Sequence, residues 1–206
     1  MTKDVSTERK ILEAAREVFI QQGMVGARMQ EIADRAGINK ALLHYYFRSK
    51  DMLFERVFME TLQSNGPVLF GILGKEMPLK EKVMQFVEHY VELMKNNPFM
   101  PLFVINEISR NPEKLFGKIG SQVSQVAMGL GLQLKAEAAK GTIRPIEPVD
   151  LISSIMGLCV FPVIAKPILR PVFGLSEEDY NKFLERRKKE VPVIIWNYLT
   201  DKSTNE

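Results

Sequence analysis

Cysteine and histidine are nearly absent from this chain: its 206 residues include one cysteine, Cys159, and two histidines, His44 and His89. A lone cysteine closes no internal disulfide, which points to a reducing, cytoplasmic setting. Three such groups so far apart make no zinc spacing, so no metal is expected. There is also no run of about 18 uncharged apolar residues of the kind a membrane helix needs. The nearest, LISSIMGLCVFPVIA, is bounded by Asp150 and Lys166 at a length that suits a buried helix. The start, MTKDVSTERK, has no basic stretch leading into an apolar core, so no secretory signal is expected. A GxxxxGK[ST] loop and an EF-hand loop are both missing, and the GLG at 129–131 lies inside a helical pattern rather than after a strand. Cys159 sits in an apolar run with no evident base, which makes it a packing residue rather than a nucleophile. With no catalytic constellation and no cofactor motif, an enzyme is not expected.

What is present is an ordinary globular composition, 46% apolar and 26% charged, with an uneven charge distribution. Residues 1–50 carry nine Lys/Arg against six Asp/Glu, whereas residues 51–206 carry nineteen of each. The whole excess of +3 therefore lies in the first quarter of the chain. Basic residues confined to one segment are a footprint for a polyanion partner, although a small segment can also gather them by chance.

Helical periodicity dominates and strand-like alternation is nearly absent, so the fold class is all-α. A first helix is expected from about Ser6 or Thr7 to Gly23, with Ile11, Leu12, Ala14, Ala15, Val18 and Phe19 on one face. A short helix follows from Met29 to Ala36 and stops at Gly37. Another is capped by Asn39, and a longer one runs from Lys50 to about Leu62, before Asn65-Gly66-Pro67. Further helices are expected at about 79–95, 98–109, 112–140, 148–166 and 176–199. Ser176 followed by EED marks the start of the last, and Pro162, Pro167 and Pro192 should kink or break theirs. This divides the chain into a domain over 1–50 and a larger helical bundle over 51–206.

Two short helices joined by a glycine turn make a helix-turn-helix candidate. Ile32, Ala33, Ile38 and Leu43 supply the inner anchors, and Gly37 supplies the turn. Lys40, Ala41, Leu42, His44, Tyr45 and Tyr46 are left for the outer face or rim, and that mix suits the groove of a DNA duplex. Lysines neutralise phosphates and phenols donate to phosphate oxygens. Ala41 and Leu42 can touch thymine methyl groups, and His44 can meet a base edge or a phosphate. A surface histidine, and a Tyr46 packed on the first helix, remain open as plainer readings.

GMVGARMQEIADRAGINKALLHYYFRSKDML resembles the N-terminal signature of the tetracycline-repressor (TetR) family of bacterial transcription regulators. The matching residues are Gly23, Ile32-Ala33, Ala36-Gly37, Lys40, Leu43, Tyr45, Phe47, Lys50 and Leu53. The resemblance implies a three-helix DNA-binding domain, followed by a helical domain for ligand binding and dimerisation. It puts the recognition helix at Asn39–Phe47, a backbone-contacting tyrosine at Tyr45 and a phosphate-contacting lysine at Lys50. The DNA-facing set is then Arg28, Met29, Lys40, Ala41, Leu42, His44, Tyr45, Tyr46 and Lys50. The family commonly has two threonines where this chain has Ala27 and Arg28, so a hydroxyl cap is lost, and Arg28 could take over a phosphate contact. Leu42 and His44 also depart from the family pattern, so no operator sequence carries over.

The segments 151–165 and 191–199 are apolar almost all round, and such helices need partners on every side. A second copy can supply one, and the resemblance implies a four-helix contact between protomers. Ile155, Cys159, Val163, Ile195, Trp196 and Leu199 are the expected contact residues. A symmetric dimer also sets two reading heads about 34 Å apart, one turn of DNA. The middle helices are rich in methionine and phenylalanine, which fill a core or line an apolar cavity. The resemblance favours the cavity, with Phe86, His89, Tyr90, Phe103, Glu107 and Met128 around a small, largely apolar ligand. The expected whole is a cytoplasmic, homodimeric, ligand-responsive repressor of transcription. The alternative is a helical carrier or adaptor whose N-terminal helices bind protein.

Overall fold

A computed structural model describes the backbone of residues 2–110 and 112–201. Side chains are described within those spans except at 2–5, 107, 108, 110, 112, 114–116, 118 and 119. Among the described residues there are ten helices and no strand. The chain forms two compact units, Met1–Gly66 and Pro67–Glu206. The boundary falls at Gly66-Pro67 and not at residue 50.

In the first unit, α1 (Thr2–Gly26) starts earlier than Ser6, since nothing in TKDV breaks a helix. It is interrupted at Gly23, whose φ of 68° and ψ of 178° lie in a region that only glycine occupies readily. Then come α2 (Met29–Arg35), α3 (Lys40–Tyr46) and the first part of α4 (Lys50–Gly74). The expected stripe of α1, from Ile11 to Phe19, is buried with Ile32 and Ala33 of α2, Leu43 of α3 and Leu53, Phe54, Val57 and Phe58 of α4. Phe19 and Phe54 meet edge to face, ring centroids 4.6 Å apart, the arrangement aromatic quadrupoles favour. Arg35 ties α2 back to α1 by donating to Gln21 at 2.7 Å. Helix α4 does not end near Leu62. Pro67 sits inside it and removes one N–H, and the helix nevertheless continues. The Thr61 hydroxyl donates to the Val57 carbonyl and the Asn65 amide to the Thr61 carbonyl just before that point.

In the second unit α5 (Leu79–Asn96), α8 (Pro148–Ile164) and α10 (Glu177–Thr200) pack on one another, with α6 (Met100–Arg110) and α7 (Pro112–Ala139) against α8. Their core joins Ile72 and Leu73 at the end of α4 to Val83, Phe86, Val87 and Val91, Leu130 and Leu134, Leu151, Ile155 and Cys159, and Val191, Ile195 and Leu199. The buried Lys82 ammonium caps α4 by donating to the Leu73 carbonyl at 2.8 Å, and burial lowers its pKa. Proline 162 leaves the Leu158 carbonyl without its helical donor, and Arg187 of α10 supplies one at 2.9 Å. Tyr180, also of α10, donates to the Pro162 carbonyl. The chain then bends by 67° into a short α9 (Lys166–Val172), in a stretch where no helix was expected; Pro167 lies in its first turn, where a missing N–H costs little. Ser176 marks the start of α10 as expected, and Ser176 and Asp179 cap it reciprocally, with the Asp179 amide donating to the Ser176 hydroxyl at 3.0 Å. No single helix among the described residues is long and apolar enough to cross a membrane.

Candidate nucleic-acid interface

The turn between α2 and α3 is built by Gly37 at φ 68°, with the Gly37 amide donating to Asp34 and the Ile38 amide to the Ala33 carbonyl at 3.0 Å. These bonds satisfy the last carbonyls of α2 and leave Ile38 to lead directly into the next cap. The Asn39 side chain accepts from the Leu42 amide at 2.7 Å and so starts α3. With Leu43 fully buried, the 100° step of a helix turns Ala41 and Tyr45 straight outward and puts Leu42 and His44 on either side. Lys40 is exposed at the helix start, and Tyr45 is 78% exposed. Tyr46 is half-buried, and its ring meets Tyr45 edge to face at 5.5 Å.

Arg28 is exposed immediately before α2 and gives that helix no side-chain cap, as expected where a threonine is missing; Met29 beside it is half-buried. Lys50 is tied down more than its expected role implies. Its ammonium donates to the carbonyls of Ala27 at 3.0 Å and Val25 at 3.3 Å, closing the chain between α1 and α2. Arg48 is a cation that sequence reading left out. It is exposed in the turn between α3 and α4, and its place beside Phe47 and Lys50 was the available signal.

The ligand-facing set is only partly assembled. Phe86 and Tyr90 stack on α5 at 5.6 Å and are buried or half-buried in the core, and Phe103 is buried. Tyr90 makes no hydrogen bond among the described residues, and burial, with Cys159 nearby, pushes its phenol well up. His89 instead faces outward and bonds the Gln85 carbonyl of its own helix. Met128 is 72% exposed, because nearly all of residues 121–129 of α7 lie open. The Glu107 side chain lies outside the described residues.

The residues expected between protomers need a similar correction. Ile155, Cys159, Val163, Ile195 and Leu199 are buried within the protomer's own core, and Trp196 is half-buried against it. The outward apolar residues of the same helices are Val149 and Phe161 on α8 and Val193, Ile194 and Tyr198 on α10. The Arg144 guanidinium covers one face of the Tyr198 ring at 3.6 Å. The Cys159 thiol is pushed up to about 12 by burial, with Arg187 pulling weakly the other way. No group of three or more His, Cys, Asp or Glu among the described residues is placed to hold a metal ion.

Residues 11–57, the span that contains this turn, match the profile described as bacterial regulatory proteins, tetR family. The chain is 28% identical over 183 residues to the HTH-type transcriptional regulator RutR of Escherichia coli (strain K12), covering 86% of this chain and 84% of that one. It is 49% identical over 88 residues to the HTH-type transcriptional activator FasR of Mycolicibacterium smegmatis, covering 43% of this chain and 40% of that one. The crystal structure of AibR in complex with isovaleryl coenzyme A and operator DNA superimposes with a TM-score of 0.64 at 17% identity, over 92% of this chain and 98% of that one. The profile match over residues 11–57 and the regulator aligned along most of the chain make this protein similar to the tetR family of bacterial regulatory proteins.

Proposed function

We propose that this protein is a cytoplasmic, homodimeric transcriptional repressor that binds operator DNA through α3 and is released by a small, largely apolar ligand. The observation that carries the reading is the outer face of α3. Lys40, Ala41, Leu42, His44 and Tyr45 are presented together, with Tyr46 at the rim, on a helix whose inner side is anchored by Leu43. Lys40, Arg28 and Arg48 engage phosphates, whereas Leu42, Ala41 and His44 read base edges in the major groove. Lys50 positions Arg28 and Met29 and adds its charge to the same rim.

The second copy packs on the outward residues of α8 and α10, Phe161, Ile194 and Tyr198, so that two reading heads meet successive turns of DNA. The ligand sits beside Phe86, Tyr90 and Phe103, where the Tyr90 hydroxyl offers an interior polar anchor. A ligand shifts the dimer only by binding its two states unequally. AibR, which carries both a coenzyme A ester and operator DNA, is the precedent for such a pairing on this fold. No catalytic role is assigned to the second unit.

Duplex DNA from upstream of the protein's own gene tests the reading by gel shift at several salt concentrations. Specific retardation that weakens steeply with salt is expected. An inert protein at low salt overturns the DNA reading and favours an adaptor whose N-terminal helices bind protein.

A further inference from the structure

Helices α5 and α10 run antiparallel, tied at one end by Lys95 to Glu185 at 2.6 Å and by Lys188 to Glu92. At the other end the Lys80 ammonium stands 5.6 Å from the centroid of the Trp196 ring. Between these ties lies a groove of about 480 Å³, lined by Lys80, Met84 and Glu88 of α5 and by Lys189, Val193 and Trp196 of α10, among others. That volume lies within the range of small-molecule sites. The groove opens on another face of α5 from Phe86 and Tyr90, so it is separate from the interior ligand seat.

Its two ends differ in charge. Lys80 makes no ion pair among the described residues, and its neighbours there are Trp196 and the Asn197 amide. Towards the far end Glu88 and Lys189 bring one charge of each sign, and Glu185 and Lys188 already hold partners, so that end is close to neutral. The middle is apolar, with Met84 49% and Val193 58% exposed although they sit in a concave wall. Lys80 and Glu88 are two helical turns apart, roughly 12 Å at the 1.5 Å rise per residue.

We propose that this groove binds a small amphipathic monocarboxylate. Its carboxylate pairs with Lys80, and its aryl or short alkyl body lies along Trp196, Met84 and Val193. A free ammonium beside an indole favours an anion, because pairing breaks no existing salt bridge. The neutral far end offers a second carboxylate no net attraction and limits the body to less than about 12 Å. The inference does not depend on DNA binding.

Trp196 is the only tryptophan, so its indole N–H gives a single NMR resonance that reports on the groove. The full-length protein is titrated with 4-phenylbutyrate and, in parallel, with the uncharged 4-phenylbutanol. A saturable shift with the acid is expected, weaker by roughly fivefold for the alcohol and for Lys80→Ala, the size of one exposed ion pair. Lys80→Arg should keep the affinity and Val193→Glu should abolish it; both positions are exposed, and unchanged circular dichroism melts certify the fold. No shift with the acid, equal shifts with acid and alcohol, or an affinity untouched by Lys80→Ala would each overturn the proposal.

Discussion

The Lys50 ammonium holds the Ala27 carbonyl at 3.0 Å, a bond that bridges the start of α4 to the residue just before Arg28 and the start of α2. A lysine that the family resemblance assigns to phosphate thus also fixes the backbone beside the DNA-facing set. Lys50→Ala is expected to lower unfolding stability by about 1 kcal/mol, a typical net value for a hydrogen bond. It should also weaken binding to all duplexes and reduce the salt slope by roughly one unit. Denaturant melts and gel shifts across a salt series measure the two effects separately, and unchanged melts would mean that the carbonyl bond is not made in solution.

Leu42 and Tyr45 lie only about 60° apart on α3 but differ in chemistry, one apolar and one a phenol, and should separate in effect. Leu42→Ala removes the apolar contact proposed with a base edge, so it should change which duplexes are selected from a random pool by about 1–3 kcal/mol at one position. Tyr45→Phe removes the phenol proposed to donate to phosphate and should weaken every duplex alike. A uniform loss from Leu42→Ala would remove it from the base-reading set.

Gly37 carries a φ of 68° in the turn before Asn39. An added Cβ meets no atom within 4 Å, so the cost of Gly37→Ala is backbone strain alone, about 1–3 kcal/mol. A melt that moves by much less would show that the turn relaxes without strain.

The two sides of α10 should respond differently to mutation. Ile194 faces out and Ile195 is 2% exposed in the core. Phe161→Glu combined with Ile194→Glu should give folded monomers by sedimentation and abolish tight operator binding. Ile195→Ala should cost about 2–5 kcal/mol of stability and leave the dimer intact below its melting point. A dimer that survives the double charge change would put the contact between copies elsewhere.

Alkaline pH should unfold this protein through its interior. Burial holds the Cys159 thiol up to about 12 and the Tyr180 phenol up to about 12, each above its value in an unfolded chain. The folded state therefore keeps protons that the unfolded state releases, so stability is intact below about pH 8.5 and falls as pH rises towards 12. At the acid end the hydrogen bond from Lys188, ahead of other causes, holds Glu92 below its usual range. Its contribution is present above about pH 4.3 and is lost as pH falls through the lowered value. Urea midpoints against pH measure both limbs, and Cys159→Ala should remove the earliest part of the alkaline loss.

Local spacing made the reading head legible. Glycine at 37, asparagine at 39 and apolar residues at 32, 33 and 43 specify the turn through backbone conformation and one cap, and neither needs distant partners. Sequence alone could not orient α8 and α10. Residues 151–165 and 191–199 are apolar nearly all round, so periodicity gave no inward direction there, and five residues expected between protomers proved to be core. His89 and Met128 were misplaced for a related reason: their types suit a cavity, but only packing chooses which helix face lines it.

By itself the amino-acid order determined an all-helical chain, the helix-turn-helix and its outward residues, because these follow from caps, turns and a 3.6-residue period acting over a few neighbours. Tertiary structure decided that α4 runs on through Pro67, that Arg187 and Tyr180 satisfy the carbonyls around the break in α8, and that Lys50 binds the Ala27 carbonyl. Those outcomes depend on groups far apart in the chain finding one another, and a buried polar group accepts whichever partner the packing brings within reach.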